Sequence, residues 1–338
     1  MRVPYRYKLF LKKALRVLLI TLAALFVLTL AVLVYLEPYL VYDRDGVHLD
    51  FSDRRTPDAS SPTVSEQPSV PDASFIQVEP SESGRLLSET GGYYITTSML
   101  LEPEKVLSAV KSLDRRCAVA IELKSIFGNF YYSTSIGGAP LADTDVSQVD
   151  ALIDYLREQG FYMIAVVPAF RDRAFALEHV SSGLALQSGA LWVDERQCYW
   201  LDPADGTTLS YLMQIARELS SLGFREIAFS DFRFPSSSRI NYRSDKTGAE
   251  LVADAAGTLT AFFESSNLMI SFVTDDVQFA SAPVTGRIYI PDADGTNVEK
   301  YTQGFAACAS LRELVFLTAS RDVRFDDRAV LRPLLNES

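Results

Sequence analysis

Hydrophobic and polar positions follow three regimes along the chain. An unbroken apolar run extends from Val17 to Leu36. A stretch from about Ser52 to Ser88 has little apolar content and no period, and scatters Pro57, Pro62, Pro68, Pro71 and Pro80 among serines and acids. From Gly91 onward short apolar runs alternate with segments of helical period. The former suit strands buried on both faces; the latter repeat apolar residues at i, i+3, i+4 and i+7. Residues 93–96, 117–123, 162–169, 226–229, 268–273 and 313–318 read as strands, 287–290 as a weaker one, and 324–325 as a remnant of another. Residues 102–113, 146–159, 209–222, 249–264 and 298–310 read as helices. The most regular is 146–159, with Val149, Leu152, Ile153 and Leu156 on one face and Gly160 placed to end it.

Seven or eight such β/α units predict an α/β fold, a (β/α)8 TIM-like barrel. A doubly wound sheet would carry a glycine-rich phosphate loop after its first strand, whereas Thr97, Ser98 and Met99 follow here. The late units are short, so the barrel is expected to be irregular or incomplete in its last third.

The apolar run has 20 residues, enough to cross a hydrocarbon core of about 30 Å. Arg2, Arg6, Lys8, Lys12, Lys13 and Arg16 all precede it, which predicts a cytoplasmic N-terminus and an extracytoplasmic remainder. A cleaved signal would have an apolar region of about 7–15 residues and a small-x-small site; bulky Val34, Tyr35 and Leu36 stand here instead. The expected organisation is a basic tail at 1–16, a transmembrane anchor at 17–36, a juxtamembrane stalk rich in Pro and Ser at 37–88 and a barrel at 89–338. Within the stalk, Val47, Leu49 and Phe51 alternate with polar residues, as a short strand or a plain juxtamembrane segment would.

Charge narrows the partners. The chain holds 32 basic and 43 acidic residues. Six of the basic ones and none of the acids lie in 1–36, so the rest is more acidic than the formal −11 of the whole. Such a surface disfavours nucleic acid and, in bulk, anionic polymers, though a local basic site could still engage them. Cys117, Cys198 and Cys308 are an odd count; Cys117 and Cys308 lie in apolar sequence and read as buried, inert thiols. His48 and His179 are far apart, and no C-x-x-C or H-x-x-x-H spacing occurs, so neither a metal nor a cofactor is expected.

Residues just past the C-terminal ends of barrel strands face the active site. After the second expected strand come Lys124, Ser125 and Tyr132; after the third, Arg171 and Asp172; then a loop with Trp192, Asp194, Trp200 and Asp202; after the fourth, Asp231 and Arg233. Aromatic planes with a few placed polar groups suit a sugar. Each residue also has a plainer reading: Asp172 as an ion pair or as the cap of a helix from Ala174, and Trp200 with Asp202-Pro203 as a turn leading into a helix.

Four blocks carry a family resemblance: GGYYITT at 91–97, AIELKSIFGNFYYS at 120–133, IAVVPAFRDRAFA at 164–176, and YWLDP through GFREIAFSDFRFP at 199–235. Together they resemble a family of bacterial glycoside-hydrolase-like TIM barrels, long catalogued as a domain of unknown function and distantly similar to α-amylase-like barrels. Lys124, Asp172, Trp200, Asp202, Pro203, Glu226, Arg233 and Pro235 match its pattern. Two acids do not: Ser125 replaces the second acid of an Asp-Val-Lys-Asp motif, and Ser230 replaces the acid of Phe-Asp-Tyr, with Asp231 one residue late.

The resemblance implies an anchored, extracytoplasmic protein acting on a polysaccharide or oligosaccharide. Asp231 or Asp172 would be nucleophile or base and Glu226 the proton donor, with Lys124, Arg233, Trp200, Asp202 and Tyr132 binding substrate. The lost acids imply an alternative: a degenerate barrel kept as a carbohydrate-binding or envelope scaffold. Strand side chains alternate faces, so Asp231 reaches the barrel mouth only if its strand has already ended.

Overall fold

A computed structural model describes residues 40–43, 46–49, 91–277, 279, 286–306 and 314–335. Contacts divide the chain into two units, Met1–Ala73 and Ser74–Ser338. In the first, β1 (Leu40–Asp43) pairs antiparallel with β2 (Gly46–Leu49), so Val47 and Leu49 lie in a short strand rather than in a plain juxtamembrane segment. The expected anchor at 17–36, residues 50–88 of the expected stalk and Cys308 lie outside the described residues. Among the described residues no helix is long and apolar enough to cross a membrane.

The second unit is a closed barrel of eight parallel strands in chain order: β3 (Gly92–Ile95), β4 (Ala118–Glu122), β5 (Tyr162–Pro168), β6 (Glu226–Ser230), β7 (Met269–Val273), β8 (Ile288–Ile290), β9 (Leu314–Leu317) and β10 (Ala329–Pro333). β10 pairs β3 and closes the ring. Outside it run α1 (Pro103–Val110), α2 (Val146–Gln159), α3 (Arg173–Glu178), α4 (Gly206–Ser221), α5 (Gly248–Phe263) and α6 (Val298–Gly304). This is the expected TIM architecture. Two corrections concern its last third. Residues 324–325 belong to a 3-10 turn, Val323–Phe325, and the eighth strand is Ala329–Pro333. The barrel is therefore complete, although the described connection from β9 to β10 holds only that turn.

Period-two alternation builds two concentric cores. Ala118, Ala120, Ile164, Val166, Ala228, Val273, Val315 and Leu331 fill the barrel interior. Their neighbours Val119, Ile121, Met163, Val167, Ile227, Phe229, Ile270 and Phe316 face the helices. Burial on both faces is why these strands read as continuous apolar runs. α2 buries the four residues that its period selects and stops where Gly160 adopts φ +77°. Gly92 admits no side chain, because a Cβ there would lie 2.4 Å from Leu331 Cδ2 and 2.7 Å from the Ala118 carbonyl. Cys117 and Cys198 are buried free thiols.

Candidate active site

The expected site residues fall into three groups, set by the strand end from which each departs. Glu226 begins β6, so it sits at the N-terminal end of the barrel, opposite the mouth. Its side chain is fully buried. One carboxylate oxygen accepts hydrogen bonds from Ser271 (2.5 Å) and Tyr289 (2.8 Å); the other accepts from Tyr162 (2.9 Å) and is paired with Arg287. Burial, then the Glu226 charge, pushes the Tyr162 and Tyr289 phenols well up, which keeps both as donors. Glu226, expected as the proton donor, thus lies at the end of the barrel opposite the mouth, where it is the centre of a buried polar cluster.

The second group lies at the C-terminal end but beneath its surface. Lys124 Nζ is 2.6 Å from Asp172 Oδ2, and both side chains are fully enclosed. Asp172 also accepts the Phe175 N–H (2.9 Å) as N-cap of α3 and the Tyr211 hydroxyl (3.0 Å). The capping reading of Asp172 is the one observed, and neither residue meets solvent. Tyr132 is buried and donates to Glu218 (2.8 Å). Asp202 accepts from the Ala204 N–H and the Tyr242 hydroxyl, both at 2.9 Å, and so fixes the turn into α4. Trp200 is 1% exposed and donates from Nε1 to Asp194 (2.9 Å); Trp192 is also buried. The aromatic wall expected from the tryptophans is therefore internal packing.

Asp231 and Arg233 form the third group, at the mouth itself. β6 ends at Ser230, which the alternation from Glu226 and Ala228 places on the interior face. Asp231 then takes φ +48°, a left-handed conformation that costs a side-chain-bearing residue energy and is enriched at functional sites. Phe232 drives back into the outer core against Phe170 (4.6 Å) and Phe272 (4.5 Å), completing the reversal. The turn leaves the Asp231 side chain 22% exposed, with Oδ1 3.6 Å from Arg171 Nη1. Burial raises its carboxyl above the usual aspartate range, although Arg171, Arg233, Arg196 and Lys124 pull the other way.

Arg171 is buried beside Asp231 and pairs with Asp194 and, at 3.5 Å, with Glu195. Burial opposes the Asp194 charge, but donors on Cys198, Trp200 and Arg171 outweigh it and hold that carboxyl low. A ladder of antiparallel bridges (Arg171 with Trp200, Gly183 with Leu201, Val193 with Tyr199) holds this loop over the mouth.

One carboxylate escaped the sequence reading. Glu122 is the last residue of β4, and the alternation from Ala118 and Ala120 turns it into the barrel at the mouth end. Its Oε2 accepts the Thr97 N–H at 2.9 Å. The period-two pattern of the strand, Ala118, Ala120, Glu122, is the signal for it in the sequence.

Fold and strand-end geometry together define a (β/α)8 barrel with Asp231, Arg233 and Glu122 at its C-terminal mouth. Residues 92–290 match the family described as "Putative glycosyl hydrolase domain", and the chain belongs to that family. No curated protein matches it. Among solved structures it is similar to a hypothetical protein from Ruminiclostridium thermocellum ATCC 27405, with 20% identity over 54% of this chain and 96% of that one (TM-score 0.46). The family 36 α-galactosidase AgaB from Geobacillus stearothermophilus aligns with 10% identity over 73% of this chain and 39% of its own (TM-score 0.51). The glycoside hydrolase domain of PelA from Pseudomonas aeruginosa aligns with 14% identity over 68% and 83% (TM-score 0.44). The chain thus spans about two fifths of the α-galactosidase, and at such identity the likeness concerns the fold alone.

Proposed function

We propose that this protein is a membrane-anchored, extracytoplasmic glycoside-hydrolase-like barrel that acts on a polysaccharide, with Asp231 as its proton donor and Glu122 as the second carboxylate of the mouth. The observation that carries the reading is Asp231: a carboxyl turned out at a strand end by a left-handed backbone, partly exposed, and raised above its ordinary pKa by burial. A carboxyl held toward its protonated form is what leaving-group protonation requires. Family membership supports the reaction class. Support for the anchor is the 20-residue apolar run behind six basic residues.

Release of reducing ends from a panel of polysaccharides tests the chemistry. Turnover should disappear in Asp231→Asn and in Glu122→Gln while the fold is kept. Protection of the barrel from protease in intact cells, or its recovery in the soluble fraction, would count against the proposed topology.

A second reading rests on the serines at 125 and 230 and on the enclosure of Asp172 and Glu226. It makes the barrel a carbohydrate-binding module without hydrolysis. Glycan binding with no turnover, unchanged by Glu122→Gln, would select it.

A further inference from the structure

The carboxylates of this acidic chain are not matched by a surplus of cations, yet arginines collect on one side of the mouth. Arg171, Arg196 and Arg233 all act electrostatically on Asp231. They come from separate stretches: the loop after β5, the bridged ladder, and the turn after β6. Arg171 is committed, since Asp194 and Glu195 flank it. It remains under-satisfied, because its buried Nε finds no hydrogen-bond partner among the described residues.

Arg233 differs. It is exposed, and its guanidinium carbon sits 5.2 Å from the centre of the Trp200 ring, which also lies 5.5 Å from that of Arg171. Stacking on an indole fixes the plane of a guanidinium while leaving its N–H edge free to donate. Among the described residues neither Arg233 nor the exposed Arg196 has an ion pair or side-chain hydrogen bond. Trp200 cannot drift, being buried and tied to Asp194, so Arg233 has a rigid platform. Two guanidiniums without acceptors, one of them, Arg233, pre-oriented on the ring that also carries the buried Arg171, are suited to a planar or tetrahedral anion.

We propose that the mouth recognises an acidic glycan, with Arg233 and Arg196 binding the anionic group of a sugar unit, carboxylate or phosphate ester, beside Asp231. The inference deepens the reading above and rests on it. It also resolves a tension in the sequence: bulk charge disfavours an anionic polymer, and a local arginine pair supplies the exception. Asp231 feels all three arginines and Glu195 lies 3.5 Å from Arg171, which restricts the anion to the open edge of Arg233 and to Arg196.

The test is binding of the full chain in detergent to polygalacturonate, to poly(glycerol phosphate) and to neutral amylose. At least one acidic polymer should bind, amylose should bind more weakly, and affinity should fall as salt rises. Comparing the two acidic polymers separates carboxylate from phosphate. Arg233→Ala and Arg196→Ala, both at exposed positions, should each weaken acidic binding about tenfold, and Arg233→Lys should restore only part of it. Equal or tighter binding of amylose, or acidic binding indifferent to both substitutions, overturns the inference while leaving glycan binding standing. Failure of all three polymers to bind counts against this inference and the broader reading together.

Discussion

Lys124 and Asp172 form an ion pair of 2.6 Å with no solvent contact, although one belongs to the loop after β4 and the other caps α3. The pair fastens the second and third βα loops together beneath the mouth. Removing one partner strands the other as a buried charge, a loss of about 3–5 kcal/mol. Lys124→Met should therefore lower unfolding free energy by about that much in urea titration. Glycan affinity per folded molecule should stay unchanged. A stable Lys124→Met protein that no longer binds glycan would return Lys124 to the surface role expected from its position in the chain.

Glu226 at the far end of the barrel gives a related expectation. Its carboxylate takes three hydroxyl donors and Arg287. Glu226→Gln keeps the shape but leaves Arg287 without a counter-charge, so about 3–5 kcal/mol of stability should be lost. Turnover per folded enzyme should persist, which separates a structural plug from a proton donor. Arg287→Met combined with Glu226→Leu should recover only part of the loss, because the buried charges go but the hydroxyls of Ser271, Tyr162 and Tyr289 lose their acceptor.

Glu218 of α4 ties down the loop after β4. It accepts from the hydroxyls of Tyr132 (2.8 Å), Thr134 (2.7 Å) and Ser135 (2.7 Å) and from the Ser135 N–H. Partial burial opposes its charge, yet those donors win and hold the carboxyl below the ordinary glutamate value. A depressed carboxyl stabilises the fold above the unfolded-state pKa and loses that contribution as pH falls through the folded one. Amide exchange at residues 131–136 should therefore quicken on acidification, and in Glu218→Ala it should already be fast at neutral pH. Protection that ignores both changes would remove Glu218 as the tether.

How far the sequence carries differs between fold and site. The boundaries 146–159 and the seven earlier strands follow from period alone, because a barrel strand buried on both faces and a helix with one apolar stripe leave distinct marks. Ala329–Pro333 leaves a weaker mark, because AVLRP is short and mixes a charge and a proline into its second half. The site was less legible because exposure is a tertiary property. Lys124, Asp172 and Trp200 sit at strand ends and in a loop on the correct side of the barrel, yet all three are buried, Lys124 and Asp172 against Phe130, Phe175 and Tyr211. Asp231 illustrates the reverse. Alternation alone would point it outward, and only the end of β6 at Ser230 with the left-handed turn after it brings the carboxyl to the mouth.

That turn makes Asp231 the position where function and stability should oppose each other. Its carboxyl is raised by burial despite three nearby arginines. Between the unfolded value of about 3.9 and the raised native one, the native state holds a proton that the unfolded chain has released. Stability must then fall as pH rises through that window and stay lower above it. Asp231→Asn has no such loss, so its unfolding free energy relative to the parent should climb over the same interval in denaturant titrations from pH 3.5 to pH 7. Asp231→Gly should gain a further increment of about 1 kcal/mol, because glycine meets no left-handed penalty. If Asp231 is the proton donor, the basic limb of the parent's pH–rate profile reports the same raised carboxyl, and Asp231→Asn removes turnover as it adds stability. A difference between parent and variant that is flat in pH would mean that burial does not govern this carboxyl, and the proton-donor assignment would go with it.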